Sequence, residues 1–152
     1  MDKKWNFIND KKDIKILLEE YSDFHDSCIH SMYYKSGAEV VNGRMRGIQP
    51  DQNILQIRFH SQMSEDQLEL RFIGLRRCNI IGYRENYFCD ISDCYLDFYN
   101  HFIIWSDNAY LNPENYVEEG ILKYPLHSII IADSLQWRKN ESNQSCEFDI
   151  LL

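Results

Sequence analysis

No stretch of this sequence approaches the roughly 18–20 consecutive apolar residues that a membrane-spanning helix requires, so no span is predicted. The opening Met1-Asp2-Lys3-Lys4-Trp5 lacks the apolar core of an export leader, and a soluble, cytoplasmic protein is expected. Cys-x-x-Cys is missing as well. The cysteines Cys28, Cys78, Cys89, Cys94 and Cys146 are odd in number and none is paired at the commonest zinc or thioredoxin-type spacing, which suits a reducing compartment. The glycines Gly37, Gly43, Gly47, Gly74, Gly82 and Gly120 stand singly, so no glycine-rich loop is available to cradle a phosphate. Basic residues are in the minority: 16 Lys and Arg against 24 Asp and Glu leave a formal charge of −8. That field repels nucleic-acid backbones and anionic lipid, and among macromolecular partners it favours a basic protein. No repeat, low-complexity tract or break in composition divides the chain, and one domain over residues 1–152 is predicted.

Aromatic residues are plentiful, with 10 Tyr, 8 Phe and 3 Trp, and they suit half-buried pleated surfaces better than long helices. Only Asp10 to Tyr21 has a helical period. There Ile14, Leu17, Leu18 and Tyr21 share one face, with Asn9 or Asp10 as the N-cap. Its charges oppose the macrodipole, Lys11 and Lys12 in the first turn and Glu19 and Glu20 in the last, so packing must supply its stability.

Beyond Ser22 the period becomes two. Leu55, Ile57 and Phe59 alternate with Gln56, Arg58 and His60, and Leu68, Leu70 and Phe72 alternate with Gln67, Glu69 and Arg71. These predict strands over Asn53–His60 and Gln67–Phe72, joined antiparallel through Ser61–Asp66. Further strands are predicted at Ile29–Lys35, Glu39–Met45, Cys78–Gly82, Tyr95–Trp105 and Ser128–Arg138, with a short one at Cys146–Leu151. Asp133 shares the parity of Ile129, Ile131, Leu135 and Trp137, which predicts a bulge there or a hydrogen-bonded buried carboxylate. Ser106–Pro125 reads as a long loop with room for one helical turn. The fold class is therefore α+β, mainly β: an N-terminal amphipathic helix packed on an antiparallel sheet, with strong curvature of the sheet left open.

The densest chemical cluster is Asp23-Phe24-His25-Asp26, between the helix and the first long strand. Two carboxylates beside an imidazole could ligate a divalent metal or form an acid–base pair, given a further ligand from His30, His60, His101 or His127. The structural alternative puts Phe24 in the core and uses Asp23 and Asp26 to bond loose backbone N–H groups. It is preferred because the string lacks the fixed spacing of a helical metal motif, so no catalytic residue, metal or cofactor is assigned. Cys28 beside His25 or His30, and Cys89 with Cys94, lack an activating context and read as small apolar residues. Arg71, Arg76, Arg77 and Arg84 are expected to pair with local carboxylates or with a partner's acidic rim. Asp107, Glu114, Glu118 and Glu119 fall in the long loop and are the candidate partner-binding residues.

Three segments then suggest a relationship. Ser22-Asp23-Phe24-His25-Asp26 follows an apolar helix, Leu70-Arg71-Phe72-Ile73-Gly74-Leu75 ends a strand, and Ile81-Gly82-Tyr83-Arg84-Glu85-Asn86 comes next. In this order they resemble the Imm50-like group of small bacterial immunity proteins, over about Leu17 to Trp137. The resemblance implies a non-catalytic protein that neutralises a polymorphic toxin by direct binding; the net charge of −8 adds the expectation of a basic toxin domain as partner, and the alternatives are a metal-dependent enzyme centred on Asp23, His25 and Asp26 or a structural homo-oligomer subunit.

Overall fold

The computed structural model describes residues 4–47, 49–85, 88–117 and 127–141. In chain order its elements are strand β1 (Asn6–Phe7), helix α1 (Lys11–Glu20), β2 (Ser27–Lys35), β3 (Glu39–Val41), β4 (Arg44–Arg46), β5 (Ile54–Ser61), β6 (Gln67–Asn79), β7 (Tyr95–Tyr99), β8 (Phe102–Ser106), helix α2 (Glu114–Val117) and β9 (Ile129–Asn140). The protein is mainly β, with one amphipathic helix and a main antiparallel sheet ordered β2-β5-β6-β9-β8-β7, to which β1 adds on β9. Strands β3 and β4 form a separate ribbon. Among the described residues no helix is long and apolar enough to cross a membrane.

Helix α1 begins where the sequence places its cap. Asp10 accepts a hydrogen bond from the Asp13 N–H at 3.0 Å, and Asp13 accepts one from the Asn9 N–H at 2.8 Å. Ile14, Leu17 and Tyr21 are buried against the sheet, and the Tyr21 hydroxyl donates to the Phe59 carbonyl at 3.2 Å. Burying each such side chain contributes about 1.5–3 kcal/mol, which offsets the misplaced helix charges.

The chain leaves α1 through a tight turn, Ser22–Phe24, whose residues have φ of +50°, +54° and +63°. Left-handed backbone costs a non-glycine residue roughly 1–2 kcal/mol, so packing must hold this turn in place. Phe24 does so. It is fully buried, with ring centroids 5.1 Å from Phe59, 5.4 Å from Tyr21 and 6.0 Å from Trp105. The next residues curl the sheet on itself: Asp26 N–H donates to Ile91 O at 2.9 Å and Ile91 N–H to Ser27 O at 2.7 Å. Ser27 thus bridges to Ile91, just before β7, so the first strand in the sheet order approaches the segment leading into the last. The curvature is strong.

Several strand boundaries differ from the sequence reading, each for a local reason. Glu39–Met45 is a hairpin, because Asn42 and Gly43 adopt φ of +52° and +74°, as a two-residue type I′ turn demands. Tyr95–Trp105 is likewise a hairpin, turning at Asn100 and His101 with φ of +46° and +70°. The strand expected to end at Phe72 continues to Asn79 through a bulge. Gly74, at φ +68°, and Leu75 both donate to the Asn53 carbonyl, at 2.9 and 3.2 Å. The separate strand expected at Cys78–Gly82 is therefore only the end of β6. The irregularity expected at Asp133 lies on the facing strand, whose register against β9 shifts between Leu75 and Arg77, and a Cβ on Gly74 would come 2.8 Å from the Asp133 Cγ. Asp133 itself pairs with Arg76 at 2.9 Å and is partly exposed. The short strand expected at Cys146–Leu151 lies outside the described residues.

Truncating Phe24 removes the anchor of the left-handed turn, and we expect Phe24→Ala to cost about 3–5 kcal/mol in urea denaturation. Gly74→Ala should cost about 2–4 kcal/mol, combining the left-handed penalty with overpacking against Asp133. A change below about 0.5 kcal/mol in either variant would contradict these assignments.

Candidate functional site

The sheet has a second buried face. On β5, β6 and β9 the even-numbered or odd-numbered set that points away from Leu55, Leu70 and Trp137 is polar, yet Gln56, Arg58, Glu69, Arg71 and Arg138 are 7% exposed or less. Period-two reading gives this face to solvent; the structure corrects that. The register explains how charge is accommodated. Arg58, Glu69 and Arg138 stand directly opposite one another on three adjacent strands, an alternating row of basic, acidic and basic side chains.

Glu69 sits at the centre, fully buried. Its Oε1 accepts from Arg58 Nε at 3.1 Å and Nη2 at 2.6 Å. Its Oε2 accepts from Arg138 Nε at 2.7 Å and Gln56 Nε2 at 3.3 Å. Gln56 Oε1 in turn accepts from Arg71 Nε and Nη2, both at 3.4 Å. The Arg71 and Arg138 guanidiniums lie over the Trp5 ring, 3.9 and 4.4 Å from its centroid, so two cations share one aromatic ring. Burying a carboxylate is costly unless its lone pairs are filled by well-placed donors, and here both oxygens are. Gln56 also lines a cleft of about 410 Å³ with Tyr33, Lys35, Glu39, Asp51 and Gln52. Matched Gln, Arg and Glu at equivalent parity on three strands was the available signal for this network.

Beside it, His30 stacks on His60 with centroids 4.0 Å apart. His30 is the extra residue of a bulge in β2, since Ile29 pairs with Phe59 and Ser31 with Arg58. Burial, then His30 and Arg58, push the His60 pKa down.

The Asp23-Phe24-His25-Asp26 string divides in the structure. Phe24 enters the core, as the structural alternative requires. His25 Nδ1 donates to the Ser92 carbonyl at 2.6 Å, and His25 Nε2 lies 3.5 Å from Asp26. The Ser92 carbonyl and then Asp26 push the His25 pKa up. The backbone bonds of the junction come from main-chain atoms and from Ser27, whose Oγ donates to the Phe24 carbonyl at 2.5 Å. They replace the Asp23 and Asp26 carboxylates expected in that role. Among the described residues no group of three His, Cys, Asp or Glu side chains comes together to hold a metal.

Of the loop acids, Asp107 turns inward. Its carboxylate is 14% exposed and accepts the Ser128 N–H at 2.9 Å, fastening the start of β9 to the end of β8. This gives Asp107 a structural role at the base of the loop. Glu114 is exposed in the first turn of α2, whereas Glu118 and Glu119 lie outside the described residues. Cys28, Cys78, Cys89 and Cys94 are free thiols. Burial pushes the Cys28, Cys78 and Cys94 thiols up, away from the thiolate that nucleophilic chemistry needs.

The large apolar side chains left exposed include Tyr34 on β2, Val40 and Met45 on the ribbon, and Tyr83 and Phe88 beyond β6. No protein-family model, curated protein or solved structure matches the chain.

Removing the central acid takes the shared carboxylate from between two buried guanidiniums, and Glu69→Ala should destabilise by about 3–5 kcal/mol. A loss below about 1 kcal/mol in urea denaturation would show that the network is not closed around Glu69. The two histidines should move stability with pH in opposite senses. His60, with its folded pKa lowered, contributes stability above about pH 6.5 that is lost as pH falls through the lowered value. His25, with its folded pKa raised, contributes stability below about pH 6.5 that is lost as pH rises through the raised value. Acidification from about pH 7.5 to 5 should therefore cost His60→Gln less than the parent, and His25→Ala more. Denaturation curves across that range giving the reverse order would overturn the signs.

Proposed function

We propose that this protein is a non-catalytic binding protein that neutralises a bacterial toxin by occluding it, acting in the cytoplasm of the cell that encodes it. The reading is supported chiefly by where the reactive side chains are. The densest set of charges, around Glu69, is closed within the sheet by mutual hydrogen bonds. The sequence string with the strongest chemical look, at Asp23–Asp26, forms a strained structural turn. What faces outward is apolar and aromatic, with Tyr34, Val40, Met45, Tyr83 and Phe88 each more than half exposed. Neutralisation by occlusion needs a complementary surface and no bond-making step, so such a chain can act through shape and charge alone. The net charge of −8 assists by steering a basic toxin domain into contact. The likeness of the Phe24-His25-Asp26 and Arg71-Phe72-Ile73-Gly74 segments to immunity proteins supports the same assignment.

The test is co-expression with the toxin domain encoded beside its gene. A complex that survives size-exclusion chromatography, together with restored growth, is the expected result. Separate elution with undiminished toxicity would overturn the reading.

A further inference from the structure

The β3–β4 ribbon is joined, among the described residues, to no strand outside its own hairpin. A two-stranded ribbon is marginal in water and gains firm stability from a third strand or a covering surface. Here one apolar pair is left open: Val40 and Met45 face each other across the ribbon and are 61% and 76% exposed, while Val41 is half-buried. The opposite face carries Glu39 against Arg46, 3.5 Å apart, and Val41 against Arg44. Within residues 36–47 the charged side chains are Glu39, Arg44 and Arg46, so this arm is net basic while the whole chain is at −8.

Along β4 the order Arg44, Met45, Arg46 is basic, apolar, basic, with alternate side chains on opposite faces. A strand laid beside β4 would place its residues directly opposite these three. Opposite charges and apolar pairs across strands are favourable, and like charges are not. The complement is therefore acidic, apolar, acidic. Its apolar residue would cover Met45 beside Val40, and its acids would reach Arg44 and Arg46.

We propose that the β3–β4 ribbon is a docking arm for an extended segment of a partner protein in which acidic and apolar residues alternate, added as a third strand along β4. The proposal rests on the protein-binding reading and narrows it to one surface. Main-chain hydrogen bonds of the added strand supply affinity, and the arginines set specificity. The overall negative charge acts on the partner's approach, whereas this contact is local.

The test is titration of the isotope-labelled full chain, followed by NMR and amide exchange. The probes are a capped peptide alternating Glu and Val, its Lys–Val counterpart and a short DNA duplex. The Glu–Val peptide should shift the amides of residues 39–46 and slow exchange along β4. Combining Arg44→Glu with Arg46→Glu should weaken it about tenfold or more and transfer preference to the Lys–Val peptide. Val40→Thr with Met45→Thr, which keeps both the charges and the strand propensity, should weaken both peptides. Thermal melts establish that each variant is folded. Equal binding of the Lys–Val peptide by the parent, shifts centred elsewhere, or a stronger response to DNA would overturn the proposal. So would concentration-dependent protection of β4 without peptide, which would make a second copy the occupant. If a toxin complex forms but tolerates the arginine reversals, the ribbon assignment fails and the protein-binding reading stands. If no toxin complex forms while the Glu–Val peptide behaves as stated, the toxin reading fails and the ribbon assignment stands.

Discussion

The burial of Phe24 is the constraint on which the remaining architecture depends. Its ring joins Tyr21 of the helix exit to Phe59 of β5 and Trp105 of β8, so one side chain ties the helix to both halves of the sheet. That position is reached through a left-handed turn that non-glycine residues adopt only under compulsion. The geometry in turn delivers Asp26 and Ser27 to Ile91, where the curled sheet meets itself. Strain at a chemically rich string is often a mark of an active site. Here the aromatic cluster accounts for it, with His25 and Ser27 bonding the Ser92 and Phe24 carbonyls.

The centre of the sheet that results, on β5, β6 and β9, is buried on both faces for different reasons. Its inner face is held by Leu55, Ile57, Leu68, Leu70 and Phe72 through loss of water contact. Its outer face is held by the row Arg58–Glu69–Arg138, where charge is tolerated because register brings opposite signs together. A network of this kind favours one register over its neighbours, since a one-residue slip would turn Glu69 into the apolar interior. Function is sought at the periphery, where the ribbon and the edge of β2 present apolar groups to solvent.

Much of this was legible in the sequence, for physical reasons that also explain what was not. Asp10 capping a helix with Ile14, Leu17 and Tyr21 on one face is a local signal, and so is the alternation in β5 and β6. Both hairpin turns need two residues at positive φ: Asn42-Gly43 is a strong turn signal by composition, whereas Asn100-His101 is weaker because it lacks the glycine of an Asn-Gly pair. β6 runs on past Gly74, whose missing side chain makes room for Asp133 across the sheet, and its register shifts between Leu75 and Arg77. The inward turn of Asp107 depends on Ser128, far away in sequence, and no local pattern encodes it. Burial of the outer face was hidden for the same reason, since period two distinguishes polar from apolar sides without saying whether either is covered.

Residue-level hydrogen exchange on the isolated protein tests the central claim most directly, namely that the Asp23–Asp26 string is a structural anchor and the ribbon is the available surface. The account predicts that the amides of Phe24, Asp26 and Ile91 exchange only through global unfolding, while those of residues 39–46 exchange through local opening of much lower free energy. Rapid exchange at the junction together with a protected ribbon would contradict it.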